Sequence, residues 1–499
     1  MSRILPHPVR CSSGSPASDS LVTLRALVFG LALLMSQGNV SANALGVTGL
    51  TVNQAAGTVT FTLGWDNSWW DGTNWDAAWV FVKFRDCSNA GLDFNHGLLS
   101  TIITDHTLGS FQATNAAGTP NLIEAGAGNN TGILLRRGTP GSGTISSSVT
   151  LRVTNLPATG NYDVRVFAIE MVFVSQGGFQ AGDGNGSQLS LSAFSVPTFL
   201  PVPIATEAAV NLNVPGGFPA AGFPKGVNAF YVMKYEISEG QYADFLNATS
   251  TAASALRYPP FLGLNRYRLD ASGTYPQNYV SQRPDRAMTY LNWADLTAYL
   301  DWATLRPMTE LQYEKACRGG GGAVLAECAW GSTTSVGALA ITPPGAENGA
   351  EVILTANANL CYNSFPFVGG DGGSGPIRCG IFATAATTTR VQTGASFWGA
   401  MELSGNAMEL CIGVNAGTVG VSTTGVSWGD GILSALGEHN VANWPNGAAP
   451  PVMDVMPRGG SWSTFGACVI GANSCSVSNR GTAYVNAPRQ PNYGGRGIR

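Results

Sequence analysis

Charge is scarce in this chain of 499 residues. Only 11% of its residues are charged, and lysine occurs at just four scattered positions, Lys83, Lys225, Lys234 and Lys315. Proteins that bind nucleic acid neutralise phosphates with clustered basic residues, so the lack of any basic tract excludes nucleic acid as a partner. The shortage of Lys and Glu also argues against long helices laced with salt bridges.

Long apolar runs are scarce as well. Arg3, Arg10 and Arg25 precede an apolar run over 26–35, and a small-residue site follows at 42–44. This is the layout of a secretory signal, and the run is shorter than the roughly 20 residues that cross a bilayer. We therefore expect a signal peptide over 1–44, no transmembrane anchor, and a secreted, periplasmic or cell-surface protein.

Residues that bind transition metals are few. No C-x-x-C pair occurs, which disfavours a zinc ribbon, and only three histidines follow the signal segment, namely His96, His106 and His439. The chain has nine cysteines, of which eight remain once Cys11 leaves with the signal. An even number in an exported chain is typical of disulfide bonds, although sequence alone leaves the pairing open.

Strand patterns dominate the first half of the mature chain. Segments such as 58–63 and 149–154 alternate apolar and polar residues, with Gly, Asn and Ser turns between the segments. The pattern predicts an antiparallel β-sandwich over 45–200. A proline-rich stretch over 201–222 predicts an extended linker.

Helix signals occur only in the second half. Ser238, Asn292 and Thr309 each stand where a side chain can cap a short helix with apolar residues at helical spacing. Beyond these helices the chain is rich in Gly and loops. Together with the strands of the first half, this predicts an α+β protein.

Four segments, in order, resemble the formylglycine-generating-enzyme family, also called sulfatase-modifying factors. They are similar to the family patterns F-x-x-x-x-x-E-V-T-x-x-Q-Y-x-x-F, R-L-P-T-E-A-E-W-E-x-A-x-R-G, G-x-x-D-M-x-G-N-x-W-E-W and R-G-G-S-W, and they lie at 230–245, 306–319, 399–410 and 458–462. A closing G-F-R pattern is similar to the terminal segment 494–499. The resemblance covers 223–499 and implies a C-type-lectin-like fold.

The resemblance also implies structural calcium. One family site takes its oxygens from a side chain, two carbonyls and a glutamate, and these positions fall on Glu402, Gly405, Ala407 and Glu409. Glu402 stands where Asn or Asp is usual. Calcium prefers six to eight oxygen ligands, which carboxylates and inward-turned carbonyls can supply. A second site would use Asn359 and the carbonyl of Leu360. The alternative for Glu409 is that it only accepts hydrogen bonds from loop amides.

A disulfide is implied too. Family members with a cysteine in the A-C-R-G segment can bridge it to one near the R-x-x-x-R segment, which here gives Cys317 and Cys475. A local pairing of Cys468 with Cys475 competes with this bridge. The arginines of the closing motifs, Arg458, Arg480, Arg496 and Arg499, are expected to brace the fold through carboxylates and carbonyls, with binding of an anionic glycan as the alternative.

Active family members oxidise a substrate cysteine with copper(I), oxygen and two cysteines that follow G-G-S. Those positions hold Thr464 and Val469, and Cys468 lies one residue before the second. A soft cuprous ion prefers paired thiolates, so the sequence disfavours copper. The H-x-x-x-H-x-E motif of the iron-dependent branch is absent, which disfavours iron. Cys468 and Cys475 are catalytic candidates only if the chain is an enzyme.

The sequence therefore predicts an exported, non-catalytic binding or structural module that recognises a protein or glycan ligand. Two alternatives stay open at this point. One is a metal-dependent oxidase, formylglycine-generating or related, with a rearranged site. The other is an extracellular structural protein that associates with itself, which low charge and many small residues permit.

Overall fold

The computed structural model describes most of the chain after the predicted signal segment. The described residues are 3–4, 44–89, 91–123, 130–184, 200–212, 219–274, 277–338, 341–342, 351–362, 375–414, 425–446, 454–464, 468, 475–481 and 488–499. The predicted signal peptide lies almost entirely outside these ranges. Within them, no helix combines the length and the apolar character needed to cross a bilayer.

Long strands build the first half, as the alternating patterns predicted. Two single-turn 3-10 helices, Cys87–Asn89 and Ile103–Asp105, interrupt them. The strands are β1 (Arg3–Ile4), β2 (Gly46–Asn53), β3 (Thr58–Trp70), β4 (Asp76–Asp86), β5 (Asn95–Gly97), β6 (Phe111–Thr114), β7 (Ile133–Arg137), β8 (Gly141–Arg152), β9 (Tyr162–Val174) and β10 (Phe179–Ala181).

Except for β10, these strands form two sheets. One has the order β1-β2-β3-β8, and the other contains β9-β4-β7-β6 with β5 on the edge of β4. Phe61 and Leu63 of β3 and Val149 of β8 lie in the same buried apolar cluster as Val80 and Val82 of β4. Alternate apolar side chains of β3, β4 and β8 therefore pack into a core shared by the two sheets.

The second half has shorter elements. Its strands are β11 (Val202–Ile204), β12 (Phe230–Met233), β13 (Leu269–Asp270), β14 (Val280–Ser281), β15 (Arg306–Pro307), β16 (Ile341–Thr342), β17 (Val352–Ile353), β18 (Met408–Ile412), β19 (Val455–Arg458), β20 (Tyr493–Gly494) and β21 (Gly497–Ile498). Its helices are α1 (Glu239–Asn247), α2 (Thr251–Arg257), α3 (Trp293–Trp302), α4 (Glu310–Arg318) and α5 (Arg390–Thr393). The fold is mixed and rich in strands, with few helices.

The three predicted helices form where their caps indicated. Ser238, Asn292 and Thr309 are the N-caps of α1, α3 and α4, and each closes a reciprocal capping box with the third residue of its helix. Helices α2 and α5 were not predicted. Their N-caps, Ser250 and Thr389, also accept hydrogen bonds from the first turn. Side-chain caps thus fix the start of all five described helices.

One sheet runs through both halves. Strand β12 pairs with β9 in register Val232 to Val172, and β21 then pairs with β12. Strand β4 is buried on both faces, since Trp79 and Phe81 face the cluster that contains α1 and α3. The Trp79 indole donates to the carbonyl of Ala303 at 2.9 Å. The sheet that contains β4 and β12 therefore lies between the β1-β2-β3-β8 sheet and the helices.

The stretch predicted as a linker is packed against the protein. Strand β11 pairs with β10, and Val202, Ile204 and Leu212 are buried in the main core. The prolines do set an extended backbone here, but apolar residues between them contact the core. The described part of 201–222 therefore does not act as a free spacer.

Candidate functional site

Hydroxyl groups occupy the region where the resemblance places the first catalytic cysteine. Thr464 follows the segment 458–462, and its Oγ1 accepts a hydrogen bond from the Ser461 amide at 2.9 Å. The Ser461 hydroxyl lies 3.0 Å from that oxygen and 3.2 Å from the hydroxyl of Ser463. A hydroxyl in place of a thiol removes the soft ligand from this position. The second position, Val469, lies outside the described residues.

Gly459 fixes the turn that carries these hydroxyls. It has φ +83°, and a Cβ there would lie 2.5 Å from the carbonyl oxygen of Leu403. The Gly459 carbonyl accepts a hydrogen bond from the amide of Gly405 at 2.8 Å. Only glycine fits both the left-handed backbone and this close approach, which explains the residue type in the motif.

Cys468 is bonded to Cys328 in a disulfide across 140 residues of sequence. Cys317 and Cys475 are both free and buried, so the bridge implied by the resemblance is wrong, and so is the local pairing of Cys468 with Cys475. The reason is placement in the core. Cys317 lies on the inner side of α4 among Tyr313 and its neighbours, whereas Cys475 packs beside the Cys328–Cys468 bond.

The free thiols are buried and protonated. Burial raises the pKa of Cys317, Cys361 and Cys475 to about 12 in each case. A negative charge on Cys361 would add to the raised pKa of Cys475. Because the thiolate is the nucleophile and the metal ligand, these cysteines are not activated at neutral pH.

A buried network of ion pairs surrounds the motif segments. Arg458 joins Glu310 at 3.0 Å and Glu314 at 2.5 Å, and Arg480 joins Glu310 at 2.6 Å. Arg318 extends the network from Glu314 to Glu327. Burial acts to raise the pKa of Glu314, but the guanidinium groups of Arg318 and Arg458 hold that pKa below its usual value.

The predicted bracing by the closing arginines is confirmed. Arg458 and Arg480 bind carboxylates as described, Arg496 binds Glu409 at 2.6 Å, and Arg499 donates to the carbonyl of Thr304 at 2.6 Å. All four arginines are at most 4% exposed. Side chains this deeply buried do not present a surface to an anionic glycan.

The residues of the first predicted calcium site include a strained backbone position and buried carboxylates. Glu402 adopts φ +53°, a conformation that Asn and Asp tolerate better than Glu. One oxygen of Glu402 accepts from the Gly380 amide at 2.7 Å, and its other oxygen has no hydrogen-bond partner among the described residues. Glu409 likewise keeps one unpartnered buried oxygen. Burial raises the pKa of Glu402 to about 7.

A third buried glutamate, missed by the sequence reasoning, completes this acidic cluster. Glu236 accepts hydrogen bonds from the Ala407 amide at 2.7 Å and the Asn406 side chain at 2.6 Å. Burial and the nearby Glu409 raise its pKa well above the usual range. Glu236 is the glutamate of the first motif, so the motif itself was the available signal.

The second predicted calcium set is already satisfied by hydrogen bonds. The Asn359 amide donates to the carbonyls of Thr334 and Val391 at 3.2 and 2.7 Å, and its oxygen accepts from Val336 at 2.9 Å. The carbonyl of Leu360 accepts from Ala338 at 2.9 Å. Each of these two oxygens therefore already accepts one amide hydrogen bond. Across the described ranges, no group of three or more His, Cys, Asp or Glu residues could hold a metal ion.

The chain is similar to formylglycine-generating enzymes of two organisms. Over 122 residues the chain is 27% identical to the formylglycine-generating enzyme of Bos taurus, and this match covers 19% of the chain and 32% of the relative. Over 210 residues it is 25% identical to the formylglycine-generating enzyme of Thermomonospora curvata, covering 37% and 60%. The chain thus spans less than two thirds of each of these relatives.

Among solved structures, the Major Tropism Determinant U1 variant is similar to 79% of the chain, with 72% of that structure covered. The TM-score is 0.24 and the sequence identity is 14%. The family model described as sulfatase-modifying factor enzyme 1-like domain matches residues 163–499, so it includes β9 as well as the four motif segments. The chain therefore belongs to the sulfatase-modifying factor family, also named after the formylglycine-generating enzyme.

Proposed function

We propose that this chain is an exported, non-catalytic member of the family that acts as a binding or structural module at the cell surface or in the extracellular space. The single observation that carries the proposal is the Cys328–Cys468 disulfide. The disulfide uses Cys468, the cysteine that lies beside the family's catalytic positions, so this sulfur is not a free thiol. In this proposal the second half has a C-type-lectin-like fold and the first half is a β-sandwich that presents it to a protein or glycan.

The state of the remaining cysteines supports this proposal over an oxidase with a rearranged site. Cys361 and Cys475 are free and at most 5% exposed. Their raised pKa keeps them protonated at neutral pH. Buried, neutral thiols offer no thiolate to copper(I) and no exposed sulfur to a substrate cysteine.

Calcium belongs to the proposal as a structural ion at the first set only. Glu402 and Glu409 would hold it through their unpartnered oxygens, with the carbonyls of Gly405 and Ala407 as further ligands. Arg496 already compensates one oxygen of Glu409. The ion would supply positive charge to an interior that holds three glutamates close to one guanidinium.

The test of the proposal is an oxidation assay. The purified full chain, loaded with copper(I) under air, is incubated with a cysteine-containing peptide, and oxygen consumption and aldehyde formation are measured. We expect neither above background, whereas the Thermomonospora curvata relative serves as the positive control. Turnover that is lost in a Cys475→Ser variant would overturn the proposal and establish the rearranged oxidase.

The calcium part has its own test. Addition of calcium to chelator-treated protein should raise the free energy of unfolding by about 2.7 kcal/mol when calcium is at 100 times its Kd. A Glu402→Gln variant should lose this response. The control is Glu438→Gln, whose side chain is 52% exposed and lies outside the acidic cluster. An equal calcium response in all three proteins contradicts the assignment of the site.

A further inference from the structure

The outer edge of β2 is covered by a strand that belongs to the predicted signal segment. Residues Arg3–Ile4 form β1, which pairs in parallel with Gly46 and Val47. In the part of the chain that the structure describes, no other segment pairs with this side of β2. The edge therefore accepts an extended strand, and removal of residues 1–44 would take its present partner away.

Strand β2 is held in place without β1. It pairs antiparallel with β3 along Gly46–Asn53, with one irregularity between Thr48 and Thr51. Leu45 and Val47 are buried in the apolar cluster that the two sheets share. A mature chain that begins at Leu45 would thus start with an ordered strand, and the backbone groups on the outer side of that strand would face solvent.

The sequence of β2 carries little protection against a further strand. It reads Gly-Val-Thr-Gly-Leu-Thr-Val-Asn and contains neither a charged residue nor a proline. Edge strands of soluble proteins commonly carry lysine or proline, which prevent pairing with another chain. Thr48 and Thr51 are both exposed and small, so an incoming strand meets no charge and little bulk here.

The opposite edge of the same sheet is interrupted. The segment 107–110 lies along β8, where Thr107 and Thr150 exchange two backbone hydrogen bonds at 2.9 and 2.7 Å. The Ser110 amide also donates to the Ser147 hydroxyl at 3.0 Å. Because this edge is partly occupied, strand pairing at β2 does not continue at β8, and we expect assembly to stop at two copies.

An uncharged strand is complementary to a second copy of itself. Two identical strands that run antiparallel are related by a twofold axis, so the same backbone groups pair in both directions. Full overlap of Gly46–Asn53 places Thr48 of one copy opposite Thr51 of the other, and threonine pairs across strands are favourable. Eight residues supply about 27 Å of strand for this contact.

We propose that removal of the predicted signal segment opens the outer edge of β2, and that two mature copies dimerise there through antiparallel pairing of their β2 strands. The inference rests on the export in the proposed function, and it identifies one partner as a second copy of this chain.

The experiment measures the mass of the secreted protein by size exclusion with light scattering, after mass spectrometry has identified its first residue. We expect a dimer that dissociates on dilution. The double variant Thr48→Lys/Thr51→Lys places lysines opposite lysines and should weaken dimerisation about tenfold. The uncleaved full chain, made in a cell-free system without membranes, should also dimerise more weakly because β1 covers Gly46 and Val47.

A mixture of variants distinguishes lost pairing from misfolding. The Thr48→Glu/Thr51→Glu variant should dimerise as weakly as the lysine variant, and an equal mixture of the two should form heterodimers because opposite charges then face each other. A misfolded variant would not regain pairing in the mixture. The matched control is Thr73→Lys/Thr119→Lys, which adds the same charge at two exposed positions outside β2 and should leave the dimer unchanged.

The inference is overturned by a monomeric mature protein, by a lysine variant that dimerises like the control, by a mixture without heterodimers, or by an uncleaved chain that dimerises as tightly as the mature one. Retention of residues 1–44 in the secreted protein would overturn the proposed processing as well. A processed but monomeric protein would overturn this inference alone, and a positive oxidation assay would remove the non-catalytic function while the dimer stands.

Discussion

The two halves of the molecule are stabilised in different ways. In the first half, strands β3, β4, β8 and β9 have 11 to 13 residues, and their ladders satisfy the backbone hydrogen bonds. In the second half most strands have two to five residues, and charged side chains reach across the interior instead. Where the strands are short, ion pairs and hydrogen bonds of buried side chains connect distant segments of the backbone.

The interiors differ accordingly. The cluster shared by the two sheets consists of apolar residues such as Phe61 and Leu151. The second half buries Glu310, Glu409 and Arg496 completely. A buried ion pair gains little net stability over an apolar pair, yet removing one partner leaves an unpaired charge and is very destabilising. The second half should therefore respond far more sharply to loss of a single polar group.

The largest effect should come from the disulfide, which lies entirely in the second half. Replacing Cys328 with Ser removes a link across 140 residues of sequence, worth up to about 5 kcal/mol in the chain-entropy model. Urea unfolding followed by tryptophan fluorescence measures the loss. Cys411→Ser is the control because Cys411 is equally buried but unbonded. Equal losses in the two variants would show that burial, not the bond, provides the stability.

Next in size is the loss of one arginine. Arg458→Met should lower the free energy of unfolding by about 3–5 kcal/mol, because Glu310 and Glu314 both lose a charged partner. Arg458→Lys should recover little, since an ammonium group cannot make the forked contacts. Arg283→Met, at a position with an exposed hydrogen bond, should cost less than about 0.5 kcal/mol. A small loss of stability in Arg458→Met would show that the second half does not depend on its buried ion pairs more than the first half depends on its apolar core.

The acidic cluster should give the second half a distinct pH dependence. In calcium-free protein, burial raises the pKa of Glu402 to about 7 from 4.5 in the unfolded chain. Unfolding then releases a proton between these values, so stability falls as pH rises from about 4.5 to 7 and levels off above 7. The interval corresponds to about 3 kcal/mol. Other buried carboxyls, such as Glu239 and Asp301, also have raised pKa values, so Glu402→Gln should reduce the slope by the share of this one group. Urea unfolding at several pH values measures the slope, and an unchanged slope would contradict the raised pKa of Glu402.

Much of this architecture follows from local sequence. Alternation at 58–63 marks β3, and the side chains of Ser238, Asn292 and Thr309 mark helix starts, because both signals act over a few residues. The arginines of the closing motifs were expected to brace the fold, and they do.

Long-range pairings did not follow from sequence. The Cys328–Cys468 bond and the pairing of β12 with β9 join segments that only the folded chain brings together. Spacing says nothing about which cysteines face each other, and an edge strand shows no preference for one partner over another.

The smallest effect tests whether local signals matter equally in the second half. The Ser238 hydroxyl accepts from the Gln241 amide at 3.2 Å, and the Gln241 side chain accepts from the Ser238 amide at 3.0 Å. Ser238→Ala should cost about 1 kcal/mol in urea unfolding, because one amide of the first turn of α1 loses its partner. Gln241→Ala removes the reciprocal bond, and the double variant should lose less than the sum of the two single losses because each bond orients the other. If the losses simply add, the two bonds act independently. If Ser238→Ala instead lowers the free energy of unfolding as much as Arg458→Met does, helix capping stabilises the second half as strongly as its buried ion pairs. The two halves would then differ only in the length of their strands.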